Sequence, residues 1–245
     1  MHPLLESVFA TKKFNNGRNE VIEIHSETSR EQCQFLQEII QKNGFTSSIE
    51  VGFAFGISTL AITESIVKNG GHHVVIDNIQ NSFWGGNGIS LMYQAGYEGK
   101  YEFIEDNSSM ALPVLASKGK KFQFAYIDTT KLFDCLMVDF FFIDKMMEKN
   151  GIIVFDDVSF PAIRKLLRYL SQLPHYKVYD QSPNNAPQKH LRPKFVRLLR
   201  RLKSAPTFLK EEIIKTDTKL GINSHCVALQ KVGEDQRNYD WHISF

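Results

Sequence analysis

Cysteine is scarce in this chain, and that scarcity narrows what the protein can be. Cys33, Cys135 and Cys226 are odd in number, far apart and set among apolar residues, a pattern that excludes a disulfide scaffold or a metal knuckle and predicts buried free thiols. No apolar run approaches the roughly 20 residues of a membrane helix, and Met1 to Lys13 lacks the apolar core of a signal peptide. A cytoplasmic protein without a membrane span is therefore expected. Acidic residues are missing from 189–203, which holds seven Lys or Arg; the net charge of the whole chain is +2, so the remainder carries −5. The basic character is local. Within that run Phe195, Leu198, Leu199 and Leu202 recur at helical spacing with Arg197, Arg200, Arg201 and Lys203 on the other sides, which reads as an amphipathic helical insertion. Its charges form either a solvated face or a contact for nucleic-acid phosphates, and no aromatic RNA-binding strand signature accompanies them.

The 245 residues, 42% hydrophobic and 23% charged, suffice for one large core. Met1 to Ile24 has weak periodicity and reads as an irregular arm or short helix. Thr28-Ser29-Arg30-Glu31 has the form of a capping box ahead of Cys33, Phe35, Leu36, Ile39 and Ile40, and Asn43-Gly44 stops that helix. Short apolar runs then alternate with helical patterns. Ile49–Val51, Val74–Ile76, Tyr101–Ile104, Phe122–Ile127 and Ile152–Phe155 read as strands buried on both faces. Helical candidates begin at Ile57 and cover Ile89–Gln94, Ser109–Ala116, Phe133–Lys149 and Pro161–Ser171, with Phe140, Phe141 and Phe142 assigned to the core. Tyr176–Tyr179 and Cys226–Gln230 supply a sixth and a seventh strand. The expected fold is α/β: a doubly wound three-layer α/β/α Rossmann-like architecture with a mostly parallel seven-stranded sheet and an antiparallel last strand.

The centre of the pattern is Ser48 to Leu60, a strand that runs through a glycine turn into a helix. Gly52 and Gly56 allow close approach of the backbone to a ligand, and helix-start N–H groups face it. The dinucleotide fingerprint is absent, because Ala54 replaces its middle glycine and Glu50 would repel a pyrophosphate. Each of the five strand ends carries an acid: Glu50, Asp77, Glu105-Asp106, Asp128 and Asp156-Asp157. Strand-end capping explains any one of them, whereas the repetition implies an electronegative crevice for a cation, a ribose or a metal. A cofactor with a cationic centre and no phosphates suits it, as in S-adenosylmethionine (SAM).

Over about Glu50 to Leu170 the chain resembles the class I SAM-dependent methyltransferases. Within them it is most similar to the small-molecule O-methyltransferase branch that includes macrocin O-methyltransferase and cephalosporin-biosynthesis enzymes. The resemblance rests on Glu-Val-Gly-Phe-Ala-Phe-Gly-Ile-Ser-Thr-Leu, Val-Ile-Asp-Asn-Ile-Gln followed by Trp84-Gly85-Gly86, Phe-Ile-Glu-Asp-Asn-Ser and Gly-Ile-Ile-Val-Phe-Asp-Asp-Val. It implies that Glu50, Gly52, Phe53, Gly56, Ser58 and Thr59 hold SAM, with Gly52 to Gly56 along its methionine part. Asp77 would bond the ribose hydroxyls, Asn107 and Ser108 would lie near the adenine, and Asn78 and Asp128 would complete the cofactor set. The spacing agrees for Asp77, a strand-end carboxylate able to accept hydroxyl hydrogens. Where such relatives read Ile-Asp-Gly-x-His, this chain reads Ile127-Asp128-Thr129-Thr130-Lys131. Likeness to catechol-type O-methyltransferases implies instead that Asp128, Asp156 and Asp157 bind Mg²⁺ and that Lys131, with Asp128, does the catalysis. Lys131 can be the base only if its pKa falls well below its ordinary value; as an ion-pair partner of the aspartates it needs no such fall. Trp84 with Gly85-Gly86 is a candidate lid, and His72 and His73 are expected to have no ligand role, while His190 and His225 have no assignment.

The expected organisation is an arm and helix over 1–47, a SAM-binding core over 48–180, a basic helical insertion over 181–219, and a last strand with its tail over 220–245. The expected activity is methylation of a hydroxyl on a small molecule, a sugar or secondary metabolite, with Mg²⁺ as an optional aid. The alternatives are an RNA-directed methyltransferase and a non-catalytic SAM-binding protein. Partners expected are the small-molecule acceptor and a second copy of the chain in a homo-oligomer, with nucleic acid reserved for the RNA-directed alternative.

Overall fold

The computed structural model describes residues 1–18, 20–25, 28–182 and 215–243. The basic run 189–203 and His190 lie outside the described residues, with most of the expected insertion. In chain order the elements are α1 (Pro3–Thr11), β1 (Lys13–Asn15), β2 (Val21–Glu23), α2 (Arg30–Asn43), β3 (Ser47–Val51), α3 (Ile57–Lys68), β4 (His72–Ile76), α4 (Asn87–Gln94) and β5 (Tyr101–Ile104). There follow α5 (Ser108–Ser117), β6 (Phe122–Ile127), α6 (Phe133–Met146), β7 (Met147–Phe155), α7 (Pro161–Leu170), β8 (Tyr176–Gln181), α8 (Asp217–Leu220) and β9 (Val227–Lys231).

Strand residues alternate between two apolar faces, which is why helices cover the sheet on both sides. Ile49, Val51, Ile127, Ile153 and Phe155 join one core with Leu112, Leu136, Ile143 and Leu166 of α5, α6 and α7. Phe124, Tyr126, Ile152 and Val154 join another with Phe35, Ile39, Ile62 and Ile66 of α2 and α3. The seven strands run in the order β5-β4-β3-β6-β7-β9-β8. Strands β3 to β7 pair in parallel, and β9 is antiparallel to both β7 and β8. This is the expected α/β/α fold with its antiparallel last strand. The winding reverses between β3 and β6, so a crevice opens where their carboxyl ends diverge. Among the described residues no helix is long and apolar enough to cross a membrane.

Four local readings are sharpened or corrected. The N-terminal arm is a helix followed by a hairpin: His2 caps α1 by accepting from Leu4 N–H at 3.2 Å, and β1 pairs with β2 antiparallel. The capping box sits one residue later than expected, because Ser29 and Gln32 satisfy the same spacing as Thr28 and Glu31 and are the pair that bonds reciprocally. Helix α6 ends at Met146 rather than Lys149; β7 starts at Met147 and turns through Asn150, whose φ of 69° is left-handed. Of the three adjacent phenylalanines only Phe140 is buried, while Phe141 stays 52% exposed.

Candidate active site

Strand β3 stops at Val51 because Gly52, at φ 103°, must turn sharply under the neighbouring strand end: a Cβ on it would lie 1.9 Å from the Asp128 carbonyl oxygen. No other residue fits there. Ala54 occupies φ 45° in the same turn, a conformation that costs a non-glycine residue about 1 kcal/mol. Asp77, at the end of β4, fastens the turn. Its Oδ2 accepts from Phe53 N–H at 2.9 Å and Ala54 N–H at 3.1 Å, and its Oδ1 from Ile79 N–H at 2.8 Å. Of roughly four acceptor directions on a carboxylate, one remains for a ligand hydroxyl where two were expected.

A cavity of about 790 Å³ opens over these strand ends, within the range of small-molecule sites. Seven aspartates line it: Asp77, Asp106, Asp128, Asp134, Asp139, Asp156 and Asp157. Of the expected cofactor residues, Gly52, Phe53, Gly56, Ser58, Asp77, Asn78, Asn107, Ser108 and Asp128 line it as well. Glu50 and Thr59 do not. Glu50 is fully buried beneath the turn, where Ser58 Oγ donates to it at 2.5 Å and His73 Nε2 lies 3.1 Å away. Its charge is spent on packing α3 and β4 against β3. Thr59 is fully buried inside α3. His73 is buried and does not line the cavity. Phe53 keeps its ring in the core against Tyr101 and Phe103. Asn78 Nδ2 donates to Asn107 Oδ1 at 2.8 Å, joining two strand ends at the cavity rim. Trp84 lines the cavity and stacks edge-on with Phe55, which also meets His25.

The sequence reading missed what surrounds Asp156. This carboxylate, 4% exposed, accepts on Oδ1 from Gln32 Nε2 at 2.7 Å, Asp157 N–H at 2.7 Å and Cys226 Sγ at 3.0 Å, and on Oδ2 from the Tyr126 hydroxyl at 2.7 Å. His225 Nδ1 stands 3.2 Å from Oδ1, and its Nε2 lies 3.7 Å from Asp157. The contact with Asp156 raises the imidazole to about 9, against the effect of burial; at neutral pH His225 is a cation. The donors to Asp156 hold its carboxyl below the usual range although burial opposes this. Asp157 takes a left-handed φ of 53° directly after it, which turns the two side chains apart.

Lys131 bridges the remaining acids. Its Nζ lies 2.7 Å from Asp128 Oδ1 and 2.9 Å from Asp157 Oδ2. Burial disfavours its charge, but Asp128 and then Asp157 outweigh burial, and the lysine pKa is raised. Of the two readings left open for Lys131, this geometry is that of an ion-pair partner of the aspartates. Asp128 itself is pushed up to about 7, by burial first and the Asp156 charge second, with Lys131 opposing.

The same geometry tests the expected Mg²⁺ set. A hard cation needs about six oxygen ligands with lone pairs to spare. Asp156 Oδ1 is crowded by four donor groups and only Oδ2, which accepts from Tyr126, keeps a direction free, while Lys131 fills the gap between Asp128 and Asp157. Among the described residues the side chains close enough to share one ion are Asp156, His225 and Cys226, a set without Asp128 and Asp157. There the thiol and the imidazole already serve the same oxygen, and burial lifts the Cys226 thiol well above its ordinary pKa, which keeps it protonated. The donor set does not fit a divalent cation. SAM fits better: the cavity is large enough, one acceptor direction of Asp77 is free, and carboxylates face a sulfonium and an ammonium.

The fold is the Rossmann-like methyltransferase architecture, and the cavity opens where that architecture takes its ligand, beyond the carboxyl ends of the strands. Residues 49–158 match the family model described as a methyltransferase domain, and that stretch contains Gly52, Asp77, Asp128, Lys131 and Asp157. No protein of curated function matches the chain. Among solved structures it is similar to the O-methyltransferase of Bacillus cereus in complex with S-adenosylhomocysteine (SAH), at 19% identity and TM-score 0.59 over 72% of this chain and 82% of that one. It is also similar to the O-methyltransferase of Streptomyces achromogenes involved in tomaymycin synthesis, in complex with SAM, at 18% identity and TM-score 0.55 over 62% and 73% of the two chains. A third is the SAH-bound methyltransferase of Podospora anserina, at 16% identity and TM-score 0.52 over 62% and 74%.

Proposed function

We propose that the protein methylates a hydroxyl of a small molecule and does so without a divalent metal. The observation that carries this reading is Lys131 Nζ held between Asp128 and Asp157, where a metal-assisted site would need its ion. SAM would be held by Gly52 to Gly56, Ser58, Asp77, Asn78, Asn107 and Ser108, and when bound it supplies an electrophilic methyl group. The chain's own residues then have to orient the acceptor oxygen and remove its proton. Asp128, raised to about 7, is the group matched to proton removal near neutral pH. Lys131 and His225, both positive there, balance the charge that develops on the oxygen. The aromatic wall of His25, Phe55 and Trp84 supports an acceptor of small-molecule size. All three cysteines are free thiols, as in a reducing compartment, which supports a cytoplasmic location.

Calorimetric titration tests the reading. SAH and SAM should bind the wild type, and turnover of a hydroxyl acceptor should be the same in EDTA as in Mg²⁺. Mn²⁺ should bind Lys131→Met, which uncovers Asp128 and Asp157, and leave the wild type unbound at millimolar concentration. Failure of SAH to bind at high micromolar ligand removes the enzyme reading; loss of turnover in EDTA removes its metal-free form.

A further inference from the structure

One side chain on the cavity wall has no hydrogen-bond partner among the described residues. Asp139, in the second turn of α6, is 1% exposed and lines the cavity, yet among the described residues neither carboxylate oxygen has a hydrogen-bond partner. A buried carboxylate without donors is costly. Burial drives its carboxyl up to about 6; the Ser108 hydroxyl nearby tempers that rise without making a hydrogen bond of normal geometry. A position whose sole role was packing would gain by an apolar residue. An unpaired acceptor that faces a cavity is instead complementary to a donor brought by a ligand.

The surroundings say which donor. Cys135 and Val138 of α6 and Ile79 after β4 line the cavity with it and supply apolar wall. Asp106, the other acid beside the start of α5, spends Oδ1 on Asn107 N–H at 2.7 Å. SAM carries donors on its ammonium, its ribose hydroxyls and the 6-amino group of its purine. The ammonium demands several polar partners at once, and Asp77 offers the ribose an acceptor. The purine is the flat part with apolar faces and a single amino edge, which is what an apolar slot ending in a lone acceptor fits.

We propose that Asp139 accepts a hydrogen bond from the 6-amino group of the cofactor's purine and so makes this site selective for adenine over hypoxanthine. The inference rests on the SAM reading above and adds to it a specificity residue from α6, an element outside the glycine turn and the strand ends.

The test compares SAH with its deaminated analogue S-inosylhomocysteine by calorimetry at pH 8, on the wild type, Asp139→Ala and Asp139→Asn. The wild type should bind SAH about tenfold or more tighter than the inosyl analogue, as expected for a hydrogen bond to a charged acceptor. In Asp139→Ala the preference should shrink to about twofold or less, with the loss falling on SAH. Asp139→Asn, whose amide can donate to the 6-oxo group, should favour the inosyl compound relative to wild type. Retention of the full preference in both folded variants overturns the assignment. So does a wild type that binds the two compounds equally, which needs no variant at all. A wild type that binds neither overturns the SAM reading together with this one.

Discussion

Replacing Asp139 by asparagine removes a charge but little volume, and the unliganded protein should become more stable for it. The carboxyl moves from an ordinary 3.8 to about 6 in the folded chain, and each pKa unit is worth about 1.4 kcal/mol. The ionised side chain therefore costs up to about 3 kcal/mol of folding free energy, an upper figure because water in the cavity reaches the wall. The sign follows from the direction of the shift. A raised carboxyl leaves stability intact below its unfolded pKa, near 4, and the stability is lost as pH rises through about 6. The asparagine variant carries no such loss. Urea denaturation of both proteins should thus give nearly equal stabilities near pH 4 and a gap in favour of Asp139→Asn that grows to between about 1 and 3 kcal/mol at pH 8. Saturating SAH should narrow or reverse the gap, since ligand binding stabilises only what it binds. A gap of constant size across this range, or a variant less stable than wild type at pH 8, refutes the account of Asp139 as an unpaired buried acid.

Two further outcomes follow from the neighbouring residues. The His225 imidazole should titrate by NMR with a midpoint near 9, so the stability it lends is present below about 6.5 and lost as pH rises through 9; in Asp156→Asn the midpoint should fall toward the ordinary value, and an unmoved midpoint would separate the two residues. Cys33 and Cys226 are fully buried, whereas Cys135 is partly exposed on the cavity wall. A maleimide should therefore label Cys135 first, SAH should slow that labelling, and equal labelling with and without SAH would place the cofactor elsewhere.

The architecture was readable from the sequence because its cause is periodic. Strands buried on both faces appear as unbroken apolar runs, helices as three-to-four spacing, and the acids at the strand ends mark the open side of the sheet. Where two registers satisfied one rule, the reading slipped: Thr28 with Glu31 and Ser29 with Gln32 are both capping boxes, and only packing of α2 against β7, through Gln32 to Asp156, selects the second. The Phe133–Lys149 pattern ran too long because apolar content does not show where a chain leaves a helix for a strand.

The site divides along the same line. What the sequence by itself determined is the glycine turn, the strand-end carboxylates and the lysine three positions after Asp128, since each depends on residues close together in the chain. Which charge meets which was decided only by the tertiary structure. Glu50 turned inward to Ser58 and His73, away from the ligand. Lys131 became a bridge between Asp128 and Asp157. His225 and Gln32, 69 residues after and 124 residues before Asp156, closed around one carboxylate, and Asp139 was left on the cavity wall with no hydrogen-bond partner among the described residues. The physical reason is that electrostatic roles depend on distance and burial, and for residues this far apart in the chain both are set by how the helices pack on the sheet.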